Sequence, residues 1–403
     1  MAQNPAIANK GRRKPTNLVL DEERHLLDAP ENSTTPRIFV AATRQNEGKT
    51  TTCLGLHYVL STMFPHVGYI KPIGQRFVEV GGLMIDEDSV LFDSVFETDV
   101  PIEAMSPIAI DPTFTRRFLA DPKQRRFLVD RMSRAFDRAA YAKDAIIIEG
   151  SGHAGVGAVC DLSNAQVARI LGSKAIIVSS GGIGRPVDEI ALNKSLFDKY
   201  GVEVVGAILN KVIPEKMDVV SEFAGRGLAR LGVPLLGVIP DEKRLRAPNF
   251  GQVVEELHGR WLHAEETGKL QRLERVIIGA MSAKGMVDHL QPGVLILCPG
   301  DREDVILAAI AATAIFGMQA TAGIMLTHGT LPHPKMLDLI GRTGLPVAIC
   351  EQDSYKAASG IYSMTVKTQP QDTDKIPLIR DLVMDNIDRD LLAAALGCRN
   401  PTS

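Results

Sequence analysis

The run Phe39-Val-Ala-Ala-Thr-Arg-Gln-Asn-Glu-Gly-Lys-Thr-Thr-Thr52 limits what this chain can fold into more than any other stretch. Residues 37–41 include Ile38, Phe39 and Val40, apolar side chains that favour an extended backbone, and predict a short buried strand. From Thr50 onward apolar residues recur at helical spacing. Between the two lies Thr43-x-x-x-x-Gly48-Lys49-Thr50, the strand–loop–helix pattern of a phosphate-binding loop, with Thr43 where the first glycine usually stands. In such a loop the N–H groups of the turn and of the helix start converge on an anion. Lys49 would set a point charge against the terminal phosphates, and the Thr50 hydroxyl would bind Mg²⁺. Gly48 would let the phosphate approach the main chain. Thr43, Glu47 and Thr51 complete the expected nucleotide contacts of the loop.

Length and composition narrow the class. With 403 residues there is room for about two to three domains of ~150 residues. An apolar content of 45% with 23% charged residues fits a soluble globular protein, and a net charge of −3 gives no electrostatic case for nucleic acid binding. The cysteines, at 53, 160, 298, 350 and 398, form no close pair. That spacing supports neither a zinc site nor a disulfide framework, and suits a reducing cytoplasm. Residues 1–36 lack the apolar core of a signal peptide. They read as a mobile polar lead-in, with a short helix over 18–27 and a solvated basic run at 10–14. Residues 305–326 carry no charge and are long enough to span a bilayer, but Gln319, the threonines and the glycines favour a buried helix (about 303–316), a turn at Gly317 and a strand (about 321–327).

From 37 to about 242 apolar strand patterns alternate with helical ones. Strands are expected near 37–42, 67–71, 145–149, 174–179, 204–210 and 235–239, and helices over 123–142, 163–171, 187–200 and 216–231. This alternation predicts an α/β fold, a mostly parallel sheet with helices on both faces. Ligands of such sheets bind beyond the carboxyl ends of the strands, so the residues that follow each strand are the candidates. They are Lys71-Pro72, Glu149-Gly150-Ser151-Gly152, Asn210-Lys211 and Pro240-Asp241. Lys71 is either a surface lysine or a second cation at the phosphate loop. Glu149, an acid at the end of an apolar strand, fits a Mg²⁺ ligand or an orienter of water. The Asn210 amide could pair with a nucleobase edge. The acidic run 85–88 offers Asp88 either as a second metal carboxylate or, with Ser89, as a helix cap.

These residues resemble the dethiobiotin synthetase family. That family has the same Thr-x-x-x-x-Gly-Lys-Thr loop, a Lys-Pro after the second strand, an Asp at a helix start, a strand ending in Glu-Gly and an Asn after a late strand. The resemblance implies that Lys49 and Lys71 stabilise a transferring phosphoryl group, that Thr50, Asp88 and Glu149 hold Mg²⁺, and that Asn210 reads adenine, with Pro240 also at the nucleotide. Two departures stand out: Arg44-Gln45-Asn46-Glu47 in the loop, and Gly-Ser-Gly-His153 after Glu149. Both lie near the carboxylated substrate in that family, so dethiobiotin synthesis is not expected here.

Further along, 247–390 is similar to the DRTGG domain. The matching runs are Val276-Ile-Ile-Gly-Ala-Met-Ser, Pro299-Gly-Asp301-Arg302-Glu-Asp304 and Ala322-Gly-Ile-Met-Leu-Thr-His-Gly329. The five-residue motif that names the domain is absent. The two domains in this order resemble the N-terminal half of long bacterial phosphotransacetylases, a half thought to be regulatory. The expected divisions are 1–36, a nucleotide domain over 37–246, a smaller α/β domain over 247–370 and a helical tail over 371–403. In the smaller domain, Asp301, Glu303 and Asp304 suit the first turn of a helix, while Arg302 could bind an anion or a second subunit. His328 and His333 lack a third ligand at metal spacing.

The reading that follows is a Mg-ATP-binding protein, a regulator or slow ATPase, whose second domain senses a small-molecule effector or mediates assembly. The alternative is an ATP-dependent carboxylase or amide ligase that activates a carboxylate or carbamate, with Lys71 and 151–153 facing the acceptor. A homo-oligomer is expected from the related families. No nucleic acid or membrane partner is expected.

Overall fold

The computed structural model of the chain describes residues 31–121, 123–317 and 320–397. The helix foreseen over 18–27, the basic run at 10–14 and Cys398 lie outside them. The last residues of the expected lead-in are tied down: the Asn32 side chain donates to the Ala140 carbonyl, and its main-chain N–H donates to Asp137. The chain forms two compact units, one of residues through Asp241 together with those from Ile376 onward, the other Glu242–Lys375.

In chain order the first unit contains β1 (Arg37–Ala42), α1 (Lys49–Ser61), β2 (Val67–Ile70), β3 (Phe77–Val80), β4 (Leu83–Asp86), α2 (Glu87–Phe96) and α3 (Ile102–Met105). Then come α4 (Phe114–Ala120), α5 (Gln124–Ala140), β5 (Ala145–Glu149), α6 (Asn164–Ile170), β6 (Lys174–Ser180), α7 (Gly184–Lys199), β7 (Val204–Val212), α8 (Met217–Ala229) and β8 (Leu235–Pro240). Among the described residues six strands form one parallel sheet in the order β8-β7-β6-β1-β5-β2. Helices cover both faces, so these strands are apolar almost throughout, Ile38 to Ala42 and Ala145 to Ile148 being fully buried. After β1 the chain runs to the β2 edge and returns through β5, while β6 starts the other half. The loop after β1 therefore sits where strand order reverses, the place at which open α/β sheets hold their ligands.

The β3–β4 hairpin was not foreseen. Its turn is Gly81-Gly82, both with positive φ (59° and 87°), as a tight hairpin turn requires. The Gly-Gly pair between Phe77-Val-Glu-Val80 and Leu83-Met-Ile85 was a signal for it. Its second strand delivers Asp86, whose carboxylate caps α2 by accepting from Asp88 N–H at 3.0 Å. The capping role weighed for Asp88 and Ser89 thus belongs to Asp86; the Ser89 hydroxyl donates instead to the Met105 carbonyl.

The second unit contains α9 (Phe250–Glu256), β9 (Arg260–His263), β10 (Arg275–Ile278), α10 (Ala283–Val287), β11 (Val294–Pro299), α11 (Glu303–Phe316), β12 (Gly323–Thr327), α12 (Pro334–Ile340), β13 (Val347–Ile349) and α13 (Ser354–Ser363). Its mixed sheet has the order β9-β13-β12-β11-β10, with β9 antiparallel to β13. Alternate strand residues feed two cores. Ile296, Cys298, Ile324 and Leu326 pack with α10, α11 and α12 on one face. Leu295, Leu297, Met325 and Ala348 pack with α9 and α13 on the other. Helix α11, expected to be buried, is so on one side only. Val305, Ile306, Ala309 and Thr313 face the sheet, whereas Ile315 is 73% exposed and Phe316 65%. A helix laid on one face of a sheet has no second layer to cover its back. Arg302 is a clamp: it donates to the carbonyls of Gly279 and Met281 and to Asp304, tying the end of β10 to the start of α11. Those bonds occupy the guanidinium that had been considered for an anion or a second subunit.

The tail expected over 371–403 is helical where described, as α14 (Lys375–Met384) and α15 (Arg389–Ala395). It packs on the first unit. A Cβ placed on Gly55 of α1 would lie 2.2 Å from Val383, and Asp388 N–H donates to the Leu236 carbonyl at 2.8 Å. Among the described residues no helix is long and apolar enough to cross a membrane.

Candidate functional site

The loop after β1 is built to expose main-chain donors. Gly48 has φ +85° and stands at the N-cap of α1, with Thr52 N–H donating to its carbonyl at 2.9 Å. A Cβ there would meet Asn210 Nδ2 at 2.2 Å. Asn46 also takes a positive φ, 63°. Thr43 does not intrude where a glycine was expected. Its hydroxyl lies 3.0 Å from the Ser179 hydroxyl, and its N–H donates to the Val178 carbonyl, so β6 draws the side chain away from the loop centre. The outside of the loop is braced by β7: Asn210 Nδ2 donates to the Glu47 carbonyl at 3.0 Å, and Lys211 Nζ donates to the Asn46 carbonyl at 2.6 Å. Arg44, from the departing run in the loop, pairs with Glu189 of α7 at 2.7 Å.

At the inner side of the loop stand the ends of β2, β4 and β5. Thr50 Oγ1 donates to Glu149 Oε1 at 2.9 Å, and Tyr69 donates its phenol to Glu149 Oε2 at 3.0 Å. The Tyr69 ring stacks on Phe92 of α2, their centroids 3.6 Å apart, which fixes the phenol. Lys71 is buried between two carboxylates, paired with Asp86 at 2.9 Å and with Asp88. Lys49, Thr50, Lys71, Asp88 and Glu149 are therefore brought together. Asn210 approaches from the opposite side of the loop, Thr51 lies in the first turn of α1, and Pro240 ends β8.

Asp86 was not among the residues chosen from sequence. It stood in the acidic run 85–88, but the hairpin that aims it inward was not read. Its Oδ2 is buried with no hydrogen-bond partner among the described residues, and a Cβ on Gly74 would lie 2.6 Å from that atom.

Two ammonium groups, Lys49 and Lys71, face three buried carboxylates, Asp86, Asp88 and Glu149. Burial pushes the Glu149 carboxyl above its ordinary range and Asp88 adds to this, with Lys71, Lys49 and the Thr50 hydroxyl opposing. Burial also raises Asp86, against Lys71. Burial pulls on Lys71, yet Asp88, Glu149 and Asp86 outweigh it and hold its ammonium above the ordinary lysine range. Lys49, buried and beside Lys71, is lowered. A phosphate entering between the two lysines would offset both effects on Lys49.

The groups named for an acceptor each hold one internal hydrogen bond. The Ser151 hydroxyl donates to the Ile73 carbonyl, and His153 Nδ1 accepts from Gly155 N–H at 3.2 Å.

Comparison with known proteins identifies both parts of the chain. A model of an AAA domain family (AAA_26) matches residues 36–249, and one of the DRTGG domain matches 252–364. The phosphate acetyltransferase of Nitrosomonas europaea is 27% identical over 369 residues, which are 89% of this chain and 51% of that protein. The phosphate acetyltransferase of Pseudomonas aeruginosa is 29% identical over 376 residues, 89% of this chain and 52% of that protein. The chain thus spans about half the length of these curated relatives, and is homologous to their N-terminal region. Among solved structures, a ParA family ATPase from Chlorobium tepidum aligns with TM-score 0.32 and 17% identity, over 56% of this chain and 88% of its own. With a phosphate-loop domain matched over more than half of its length, the chain belongs to the AAA_26 family of AAA domains, here followed by a DRTGG domain.

Proposed function

We propose that the first unit binds Mg-ATP and that the protein acts as a regulator or slow ATPase, its DRTGG domain sensing a small effector or mediating assembly. The observation that carries this is the convergence of Lys49, Thr50, Lys71 and Glu149 behind a loop whose turn is Gly48. In this reading the loop N–H groups and Lys49 take the β- and γ-phosphates, and Lys71 faces the γ-phosphate. Asn210 keeps one Nδ2 hydrogen and one Oδ1 lone pair beyond its bonds to Glu47 and Lys211, enough for an adenine edge near Pro240.

Thr50, Asp88 and Glu149 are the hard oxygen donors Mg²⁺ prefers, and the unspent Asp86 Oδ2 adds to them. Among the described residues no three His, Cys, Asp or Glu side chains form a ready metal cluster. That suits an ion completed by phosphate oxygens and water. When bound, Mg²⁺ would neutralise negative charge on the β- and γ-phosphates.

The ligase alternative has less support, since the Ser151 hydroxyl is spent on the Ile73 carbonyl and His153 Nδ1 on Gly155 N–H. The test is a thermal melt with phosphate release. Saturating Mg-ATP should raise Tm by several degrees, because ~100-fold excess over Kd adds about 2.7 kcal/mol. Phosphate should appear more slowly than about 1 s⁻¹, the low end for dedicated enzymes. Turnover near ~10 s⁻¹ would replace regulator with enzyme, and an unmoved Tm would remove the nucleotide reading.

A further inference from the structure

A cavity in the first unit is lined by none of the phosphate-loop residues. It has a volume of about 560 Å³ and is walled by β4, α3, α4 and α5. Its floor is apolar: Ile85 is 1% exposed and Ile108 3%, with Phe114 and Leu128 also buried. Exposed Met84 and Phe127 extend the apolar wall to the surface. Such a lining, apolar with Glu103, Ser106, Arg117, Gln124 and Arg131 as its polar groups, is that of a small-molecule site.

The polar groups define what it would hold. Arg117, Arg131 and Glu103 line the cavity. Arg117 is already engaged by Asp111 at 2.7 Å and by the Thr113 hydroxyl. Arg131 forms no hydrogen bond or ion pair among the described residues, so its fork of donors is unspent. Arg117 and Asp111 cancel and Glu103 balances Arg131, so there is no surplus positive charge for a phosphate dianion, and the unpaired Arg131 fork matches a single carboxylate.

The wall is continuous with the carboxylate cluster of the candidate site. Ser106, at the cavity, accepts through Oγ from Asp86 N–H at 2.9 Å. Its neighbour Met105 accepts from Lys71 N–H at 2.8 Å. Ile85 of the floor directly precedes Asp86, which pairs with Lys71. We infer that this cavity binds a monocarboxylate with an apolar body, its head on Arg131, and that occupancy is felt at Asp86 and Lys71 through the paired segments 85–86 and 105–106. Its consequence for nucleotide affinity rests on the Mg-ATP reading; binding and the local coupling do not.

The test uses nucleotide-free full-length protein, with hexanoate and 1-hexanol as probes of equal apolar body. Hexanoate should saturate, shift the Ile85 and Ile108 methyl resonances, and bind at least about tenfold more tightly than hexanol, the scale of one charge-assisted hydrogen bond. Arg131→Gln, a change at an exposed position that should leave the fold intact, should weaken hexanoate by roughly 10- to 100-fold and erase the preference over hexanol. The Asp86 and Lys71 amides should exchange more slowly with hexanoate bound. Equal binding of both probes, no saturable binding, or hexanoate affinity unchanged in Arg131→Gln would overturn the site. Unchanged exchange at Asp86 and Lys71 under saturating hexanoate would overturn the coupling.

Discussion

Replacing Lys71 with methionine should remove about 3–5 kcal/mol of folding stability near neutral pH, read as a lower denaturant midpoint. The lysine lies among the carboxylates of Asp86, Asp88 and Glu149, all buried. Methionine fills similar space but leaves these acids without their main counter-charge. The loss should depend on pH with a definite sign. Asp86 and Glu149 already have folded pKa values raised above their ordinary 3.8 and 4.5. An acid raised on folding binds its proton more readily in the native state, so its contribution to stability falls as pH rises through the folded value. Losing Lys71 raises both further. The variant should regain stability as pH falls through those raised values towards 4. The wild-type Lys71 behaves oppositely at the other end of the scale. Its pKa is raised, so its contribution is complete below the unfolded lysine value and lost only as pH climbs above it. A midpoint within about 1 kcal/mol of wild type at pH 7 would mean that the three carboxylates do not depend on this cation.

The second large effect is expected at Gly48. Alanine there meets two obstacles: a backbone at φ +85°, and Asn210 Nδ2 only 2.2 Å from the new Cβ. The strained conformation alone costs about 1–2 kcal/mol. The collision breaks the bond by which Asn210 holds the Glu47 carbonyl. Gly48→Ala should therefore reshape the loop and weaken Mg-ATP by at least ~100-fold, with a fall of a few degrees in Tm and the fold retained. Combining it with Asn210→Ala removes the collision and leaves the strain, so the double variant should recover only part of the binding. Additive losses in an equilibrium titration of the four proteins would show that the glycine and the asparagine do not meet.

Much of the first unit was legible because its signals are local. Each strand of the parallel sheet is a short apolar run buried on both faces, and β1, β5 and β8 fall within a residue of their expected ends. The loop was legible because Gly-Lys-Thr between strand and helix has few other uses. The rest depended on contacts distant in sequence. Nothing local says that Thr43 turns towards Ser179, 136 residues away, or that Asn210 leans on the Glu47 carbonyl. Asp86 and Asp88 are two residues apart in an acidic run, and only the hairpin turn at Gly81-Gly82 decides that both face Lys71. Arg302 shows the converse. A motif that reads as an anion site is held by the carbonyls of Gly279 and Met281, which sequence spacing does not reveal. In α11, charge-free sequence suggested full burial, but a helix on the outside of a sheet is covered on one side only.

The central claim is that main-chain amides and Lys49 grip a triphosphate at the end of β1. Calorimetric titration of Mg-ATP into the wild-type protein and Lys49→Ala tests it directly. The account predicts saturable binding by the wild type and a loss of at least ~100-fold in the variant, about 2.7 kcal/mol or more, with the fold retained. Equal affinity in the two proteins, or no binding by the wild type, would contradict it.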